Sequence, residues 1–298
     1  MSRERLQEFL SPFILDFEDR LEKCLDRADQ YDKVLWDAMS YSLMAGGKRL
    51  RPVFLMLTGL SLGQKEEKLM PFAMALEMIH TYSLIHDDLP AMDNDDYRRG
   101  KLTNHKVFGE ATAILAGDGL LNLAAEVMAD EAVSSSDLNA VKAMQIILHA
   151  AGPKGMIAGQ TADMLAEERS LGAEGLAYID HNKTGQLITA AFLAGGALAG
   201  ADDETMKTLE KAGFAIGTAF QIQDDILDIE GSQEVLGKPI GSDEKNHKET
   251  FVSVYGLEKA KQTSRELSEQ AIQDLSCLPG DYGVLIRELV SFLINRVR

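Results

Sequence analysis

The chain has 298 residues, of which 45% are hydrophobic and 26% are charged, a composition typical of a folded globular protein and not of a disordered one. The 30 basic and 47 acidic residues give a formal net charge of −17. A field of this sign repels polyphosphate backbones and anionic headgroups, so we expect no nucleic acid partner and no general attraction to membranes. A phosphorylated ligand would need cations gathered close to it.

The sequence predicts a soluble protein of the cytoplasm. Residues 1–24 mix acidic with apolar side chains and lack the basic start and continuous apolar run of a signal peptide. The most apolar run, residues 187–201, contains three glycines and is short for a bilayer crossing, so we expect no stable membrane insertion. The two cysteines, Cys24 and Cys277, are too few for a disulfide framework or a zinc site, which fits a reducing compartment.

Taken in chain order, the predicted elements are helices. Apolar residues recur at helical spacing over 71–85, 138–151, 177–199 and 203–228. We find no run of strict apolar and polar alternation that would predict a strand. Turn-forming residues separate the helical stretches, and no linker rich in proline or serine divides the chain. We therefore expect an all-α fold, a single domain over residues 1–298 built as a helical bundle with mostly antiparallel neighbours.

The first motif is a glycine turn that runs into basic residues, GGKRLRP over residues 46–52. Pro52 suits the first turn of a following helix, and a helix start with basic side chains can bind an anion. A second basic cluster, residues 98–101, comes later in the chain. For either cluster alone, the alternative is a solvated surface.

The second motif packs five aspartates into ten positions, beginning with Asp87 at the end of an apolar helix. Like charges this dense repel one another unless a cation neutralises them. Pro90 should end the helix, so that Asp93 can turn back towards Asp87 and Asp88. His80 lies seven residues before Asp87, two helical turns away on the same face. The alternatives are a solvated acidic loop and a structural core histidine.

The third motif is a polar stripe on an otherwise apolar helix. Spacings of three, four and seven residues put one set of side chains on the same side of that helix, namely Gln221, Asp224, Asp225 and Asp228. Unpaired buried carboxylates are costly, and hard divalent cations are their usual remedy. Neither acidic motif has the twelve-residue ligand cycle of a helix–loop–helix calcium site. Magnesium, completed by substrate phosphates, fits better.

Together these motifs resemble those of the trans-isoprenyl diphosphate synthase family, specifically its bacterial farnesyl diphosphate synthases. The family's first aspartate motif, DDxxxxD in its longer form, corresponds to Asp87, Asp88 and Asp93, and its second, DDxxD, to residues 224–228. The GGKRLRP, RRG, KTG and FQIxDD elements also occur, and the resemblance covers residues 35–255. It implies an isoprenoid-synthase-type helical bundle around a deep central cavity.

The resemblance also implies roles for individual residues. Three Mg²⁺ ions per active site would be held by Asp87, Asp88, Asp93, Asp224 and Asp228. Isopentenyl diphosphate would be held by Lys48, Arg51, His80 and Arg99. The allylic diphosphate would be held by Arg98, Lys183, Lys238 and Lys248. With Lys183, the catalytic residues would be Thr184 and Gln221, whose oxygen dipoles lie on the allylic side near a developing carbocation. Residues 232–248 and 296–298 would close the site against water.

The implied reaction is the magnesium-dependent, head-to-tail condensation of isopentenyl diphosphate with dimethylallyl or geranyl diphosphate, giving farnesyl diphosphate. Product length would depend on Ser83 and Tyr82, four and five positions before the first aspartate, and five residues of helix place Tyr82 about 7.5 Å from Asp87 along the axis. The alternative for Tyr82 is a core aromatic. Alternatives for the whole chain are a geranylgeranyl or mixed-length synthase, a terpene cyclase and a non-catalytic regulatory subunit. The resemblance also implies a homodimer.

Overall fold

The computed structural model describes residues 3–25, 32–230 and 249–294, and nearly all of these residues are helical. The first seven helices are α1 (Arg3–Leu25), α2 (Lys33–Leu43), α3 (Leu50–Ser61), α4 (Glu66–Asp87), α5 (Asn104–Phe108), α6 (Glu110–Ser135) and α7 (Leu138–Ala151). The next helical elements are α8 (Met156–Glu168), α9 (Gly172–Ile179), a π-helical segment (Asp180–Gly185), α10 (Gln186–Leu198) and α11 (Asp203–Glu230). The last are α12 (Phe251–Tyr255), α13 (Leu257–Asp274), a 3₁₀ turn (Leu275–Cys277) and α14 (Gly280–Ile294). The predicted all-α class is confirmed.

Helix α10 lies in the middle of the bundle, where it contacts α3, α4, α7 and α11. Nearly all of its side chains are buried, as expected for a helix that is apolar on every face. Glycines allow the close packing around it. A Cβ atom on Gly195 would lie 2.5 Å from the Leu55 carbonyl oxygen of α3, and one on Gly213 would lie 2.7 Å from the Thr189 Cα. The close approach at Gly213 holds α11, which carries the second aspartate motif, against α10.

Helix α4 carries the first aspartate motif to the same region. It packs mainly against α6 and α3 and is buried along most of its length. The predicted helix 71–85 is therefore the central part of a longer one that ends at Asp87. By length and composition alone α6 could also cross a membrane, but its packing against α2, α4 and α7 accounts for it as a helix of the bundle.

The structure departs from the predicted continuous helix over 177–199. The α-helix ends at Ile179, and the π-helical segment precedes α10. A π turn is wider than an α turn and is often found at functional sites. This segment lies against α11, because a Cβ atom on Gly217 would come within 2.7 Å of the Gly185 Cα. The predicted helices over 138–151 and 203–228 are present, the second extending to Glu230.

A small hairpin is the other departure from the predicted helices. Strands β1 (Tyr97–Arg98) and β2 (Lys101–Leu102) are antiparallel, with Arg98 opposite Lys101. The turn residues Arg99 and Gly100 have φ values of 52° and 76°, the positive sign that a type I′ turn requires at both positions. Strands of two residues are too short to show the alternation from which a strand is predicted.

Candidate active site

A cavity of about 440 Å³ opens between the end of α4, the hairpin, α8, α9, the π-helical segment and α11. Its wall brings together residues that were predicted separately from the three motifs and from the KTG element of the family resemblance. They are Lys48, Asp87, Asp93, Arg98, Arg99, Lys183, Thr184, Gln221 and Asp224. Six other predicted residues are not on the described wall, namely Arg51, His80, Tyr82, Ser83, Asp88 and Asp228. Lys238, Lys248 and the proposed closing segments 232–248 and 296–298 lie outside the described residues.

The two glycines of the basic motif let the hairpin approach the start of α3. Gly46 and Gly47 have φ values of +84° and +129°, which only glycine adopts without strain. The Arg99 guanidinium donates a hydrogen bond to the Gly46 carbonyl oxygen. A Cβ atom on Gly47 would lie 2.8 Å from the Arg99 guanidinium carbon. A glycine at position 47 is therefore needed for Arg99 to lie where it does. Beside it, the Lys48 ammonium is 5.9 Å from the centroid of the Phe220 ring of α11.

Arg51 and His80 lie behind this wall, where positive charges are crowded. Burial lowers the pKa of Arg51 to about 10, with Glu77 opposing the shift and Arg99 adding to it, so Arg51 remains a cation at neutral pH. Burial lowers the pKa of His80 well below its usual value, and Arg51 and Arg99 lower it further. His80 is therefore a neutral imidazole. One of its ring nitrogens can donate a hydrogen bond and the other can accept one, and neither adds charge.

The first aspartate motif folds back on itself as predicted. The Asp93 backbone N–H donates to the Asp87 carbonyl oxygen at 2.8 Å, which puts both carboxylates on the cavity wall. Burial raises the pKa of Asp87 to about 6, Asp93 raises it further and Lys183 opposes the shift. Asp88 points elsewhere. It is 3% exposed, and its Oδ1 accepts a hydrogen bond from Arg98 Nε at 2.6 Å and forms an ion pair with Arg98 Nη2 at 2.5 Å. Burial nevertheless raises its pKa to about 6.

The second aspartate motif divides into members with different environments. Asp224 is on the cavity wall, whereas Asp228 is buried away from it. Asp225 ties α11 to α12, because its Oδ2 accepts from the Phe251 backbone N–H at 2.8 Å, and its Oδ1 accepts from Gln221 Nε2 of the same helix at 3.1 Å. Gln221 Oε1 in turn accepts from the Thr184 hydroxyl at 3.0 Å. This chain of hydrogen bonds fixes the position of the two predicted oxygen dipoles.

Two aspartates on the wall, Asp163 and Asp180, are absent from the site predicted by the sequence. Asp163 of α8 accepts a hydrogen bond from the Lys183 ammonium at 2.6 Å. Asp180 begins the π-helical segment. Burial raises its pKa to about 7, and the charges of Asp225 and Asp163 raise it further. No local pattern in the sequence singles out Asp163, because its partner Lys183 lies 20 positions away.

The carboxylates of the cavity could hold magnesium only together with a ligand. Among residues 3–25, 32–230 and 249–294, no group of three or more His, Cys, Asp or Glu side chains is close enough to form a metal site by itself. Asp87, Asp93 and Asp224 nevertheless share one wall, and a bound cation would oppose both the burial and the Asp93 charge that raise the pKa of Asp87. Carboxylate oxygens are the donors that Mg²⁺ prefers, with phosphate oxygens and water completing its coordination. The residues present fit such an ion.

An all-α bundle whose cavity carries residues of two aspartate motifs and several lysines and arginines is the arrangement of an isoprenoid diphosphate enzyme. The chain belongs to the polyprenyl synthetase family, whose model matches residues 32–278. It is 47% identical over 265 residues to the farnesyl diphosphate synthase of Geobacillus stearothermophilus, which covers 88% of each chain. It is 42% identical over 280 residues to the geranylgeranyl diphosphate synthase of Cyanophora paradoxa, covering 94% of this chain and 92% of the relative.

A solved structure agrees with this membership. The FPP/GFPP synthase from Zymomonas mobilis matches with a TM-score of 0.87 at 33% sequence identity, covering 97% of this chain and 99% of the other. The resemblance stated from the motifs is thus confirmed at the level of the family, and so is the predicted bundle fold.

Proposed function

We propose that the chain is a prenyltransferase that condenses isopentenyl diphosphate head-to-tail with dimethylallyl or geranyl diphosphate, giving farnesyl diphosphate and free diphosphate. The observation that carries this proposal is that one cavity wall presents Lys48 of the glycine turn and Arg99 of the hairpin together with Arg98, Lys183 and the aspartates. Cations from several separate parts of the chain in one cavity suit an enzyme with two diphosphate substrates. A terpene cyclase, which has one such substrate, would not need the basic residues around Lys48.

The leaving diphosphate would be bound at the aspartate side. Asp87, Asp93 and Asp224 are the proposed direct ligands of up to three Mg²⁺ ions, and Asp88 and Asp228 would contribute through water or through neighbouring groups. Magnesium would neutralise charge on the departing diphosphate. Arg98 and Lys183, with Lys238 and Lys248, would bind the same diphosphate. The 2.6 Å contact between Lys183 and Asp163 supports this role, because it holds the ammonium at the cavity wall.

The reaction then requires a carbon–oxygen bond to break and a carbon–carbon bond to form. Departure of diphosphate leaves an allylic carbocation, and the oxygen dipoles of Thr184 and Gln221 stabilise its positive charge. The double bond of isopentenyl diphosphate, held by Lys48, Arg51, His80 and Arg99, attacks this cation. The new cation loses a proton to the released diphosphate, which restores a double bond. No carboxylate base is required.

Product length is the point on which the alternatives differ. Tyr82 is 5% exposed and lies behind the wall, two residues before the wall residue Leu84. Its bulk is the proposed barrier to a longer chain, with Ser83 beside it. A geranylgeranyl or mixed-length synthase would need more room at this point. A non-catalytic subunit is disfavoured, because both aspartate motifs are complete.

We also propose a homodimer in the cytoplasm. Large apolar side chains on α5 and α6 are exposed in the single chain, including Val107, Ile114 and Leu115. A second copy would cover such residues in the way that helical interfaces usually do. Size-exclusion chromatography with light scattering tests the oligomeric state directly.

The enzyme is tested by incubating purified protein with isopentenyl diphosphate, Mg²⁺ and each allylic starter in turn, and separating the dephosphorylated products by chromatography. We expect farnesol from both starters. Asp87→Asn and Asp224→Asn should each lower kcat at least ~100-fold, because they remove transition-state charge stabilisation. Asp203→Asn, at the exposed start of α11, is the matched control and should retain activity. The absence of any prenyl alcohol from the wild-type protein would refute the proposal.

A further inference from the structure

The middle basic residue of the basic motif, Arg49, does not line the cavity wall that Lys48 lines. Its side chain is fully buried, whereas Lys48 is exposed on the cavity wall. Arg49 also precedes α3 in the left-handed conformation, with φ 49°. A non-glycine residue keeps this strained conformation only where surrounding contacts enforce it.

Those contacts are supplied by Arg49's own side chain. Nη1 donates to Glu77 Oε1 at 2.6 Å, Nε donates to Glu18 Oε1 at 3.2 Å and Nη2 donates to the Leu43 carbonyl oxygen at 2.8 Å. All three guanidinium nitrogens are therefore bonded, and they join α1, the end of α2 and α4. Glu77 itself is only 2% exposed, so its charge acts across protein and not across water.

Glu77 also faces the other cations behind the cavity wall. Its negative charge raises the pKa of Arg51 and of Arg99, against the lowering that burial causes in both. It stands on α4 one helical turn before His80. The Nε donor of Arg51 is buried and finds no acceptor within the described residues, so the direction of Arg51 depends on the backbone from which it projects.

We propose that Arg49 and Glu77 are a positioning pair: by holding the left-handed turn before α3, they set the directions of Lys48 and Arg51 and thereby the affinity for isopentenyl diphosphate. Neither member of the pair touches the substrate. This inference rests on the proposed function, in which Lys48 and Arg51 bind that diphosphate. Misplacement by about 1 Å can cost up to about 100-fold in an enzyme, so a change in this turn should be measurable.

The test separates positioning from support of the fold. In Glu77→Gln the shape is kept and the charge is lost. In the double variant Arg49→Met with Glu77→Leu, apolar side chains replace a buried ion pair, a change that usually preserves stability. Glu131→Gln is the matched control. It removes a carboxylate of α6 that lies outside the cavity and pairs at 3.1 Å with Lys68 of α4, the helix that carries Glu77.

Melting temperature, kcat, both KM values and the calorimetric Kd for isopentenyl diphosphate are measured for each variant. We expect the KM and Kd for isopentenyl diphosphate to rise about tenfold or more in both Glu77 variants, with KM for geranyl diphosphate within about threefold of the wild type. The control should match the wild type. A double variant that folds with an unchanged KM for isopentenyl diphosphate would overturn the proposal.

Failure to fold also has a defined meaning. If Glu77→Gln does not fold, the double variant carries the test, and an unfolded double variant counts against the proposal because it shows a role in the fold.

Lys48→Ala is measured in parallel to separate this proposal from the proposed function. If it leaves the KM for isopentenyl diphosphate unchanged, the proposed function of the basic loop fails. If it raises that KM and the Glu77 variants do not, only the positioning role fails.

Discussion

Replacing Tyr82 with alanine should lengthen the product by one isoprene unit at a modest cost in stability. The ring is buried against His86 in an edge-to-face contact, with centroids 5.7 Å apart and planes at 76°. Its hydroxyl has no hydrogen-bond partner among the described residues, and burial raises its pKa to about 12, so it stays neutral. Removing the ring would open space behind Leu84 and Asp87 of the cavity wall.

The expected loss in the free energy of unfolding follows from these contacts. Truncating a buried aromatic to alanine typically costs about 3–5 kcal/mol of the free energy of unfolding. The unpartnered hydroxyl already costs about 1–3 kcal/mol in the wild type, so its removal offsets part of the cost of truncating the ring. We expect a net loss of about 2 kcal/mol, which in a chain of 298 residues lowers the melting temperature by roughly 3 °C. The space gained is comparable to one isoprene unit.

The assay measures urea denaturation together with product chromatography, using Tyr82→Phe as the control. Phenylalanine keeps the ring and removes the unpartnered hydroxyl, so this variant should be as stable as the wild type or more stable by about 1 kcal/mol. Its product should remain farnesyl diphosphate. If Tyr82→Ala keeps the wild-type product, the ring is only a core aromatic. A loss of stability in Tyr82→Phe would contradict the assignment of an unpartnered hydroxyl.

Gly47→Ala should raise the KM for isopentenyl diphosphate about tenfold, because its Cβ would meet Arg99; Gly46→Ala, with nothing within 4 Å, should have a smaller effect in the same assay. Asp180→Asn should stabilise the protein above pH 7. Its folded pKa of about 7 lies above the ordinary 3.8, so its stabilising protonation is complete below pH 3.8 and is lost as the pH rises through 7. Between pH 5 and pH 8 we expect the difference in free energy of unfolding between the variant and the wild type to grow by roughly 3 kcal/mol in favour of the variant. A difference that stays constant between pH 5 and pH 8, measured in EDTA, would contradict this. EDTA should abolish turnover and excess Mg²⁺ should restore it; activity that persists in EDTA would exclude a metal requirement.

Much of the fold could be predicted because its helices follow local patterns. The helix over 138–151 has the predicted bounds, and the first aspartate motif folds back after Pro90 as its sequence suggested. The π-helical segment could not be predicted in this way, since the residue types of 180–185 do not distinguish a π turn from an α turn and the wider turn accompanies close packing against Gly217. The hairpin at Arg99 was missed because its strands are only two residues long.

The sequence by itself determined the helices, the aspartate and basic motifs and the family resemblance, because each depends on residue types at short spacings along one chain. Only the tertiary structure decided which charges meet. Arg49 meets Glu77 across 28 positions, and Lys183 meets Asp163 across 20. The strength of an ion pair depends on the distance between its charges in space and on their burial, neither of which is contained in a local pattern. For this reason the motif supplied three basic residues of similar appearance, and the packing of α1, α2 and α4 decided that Arg49 is the one that pairs with Glu77.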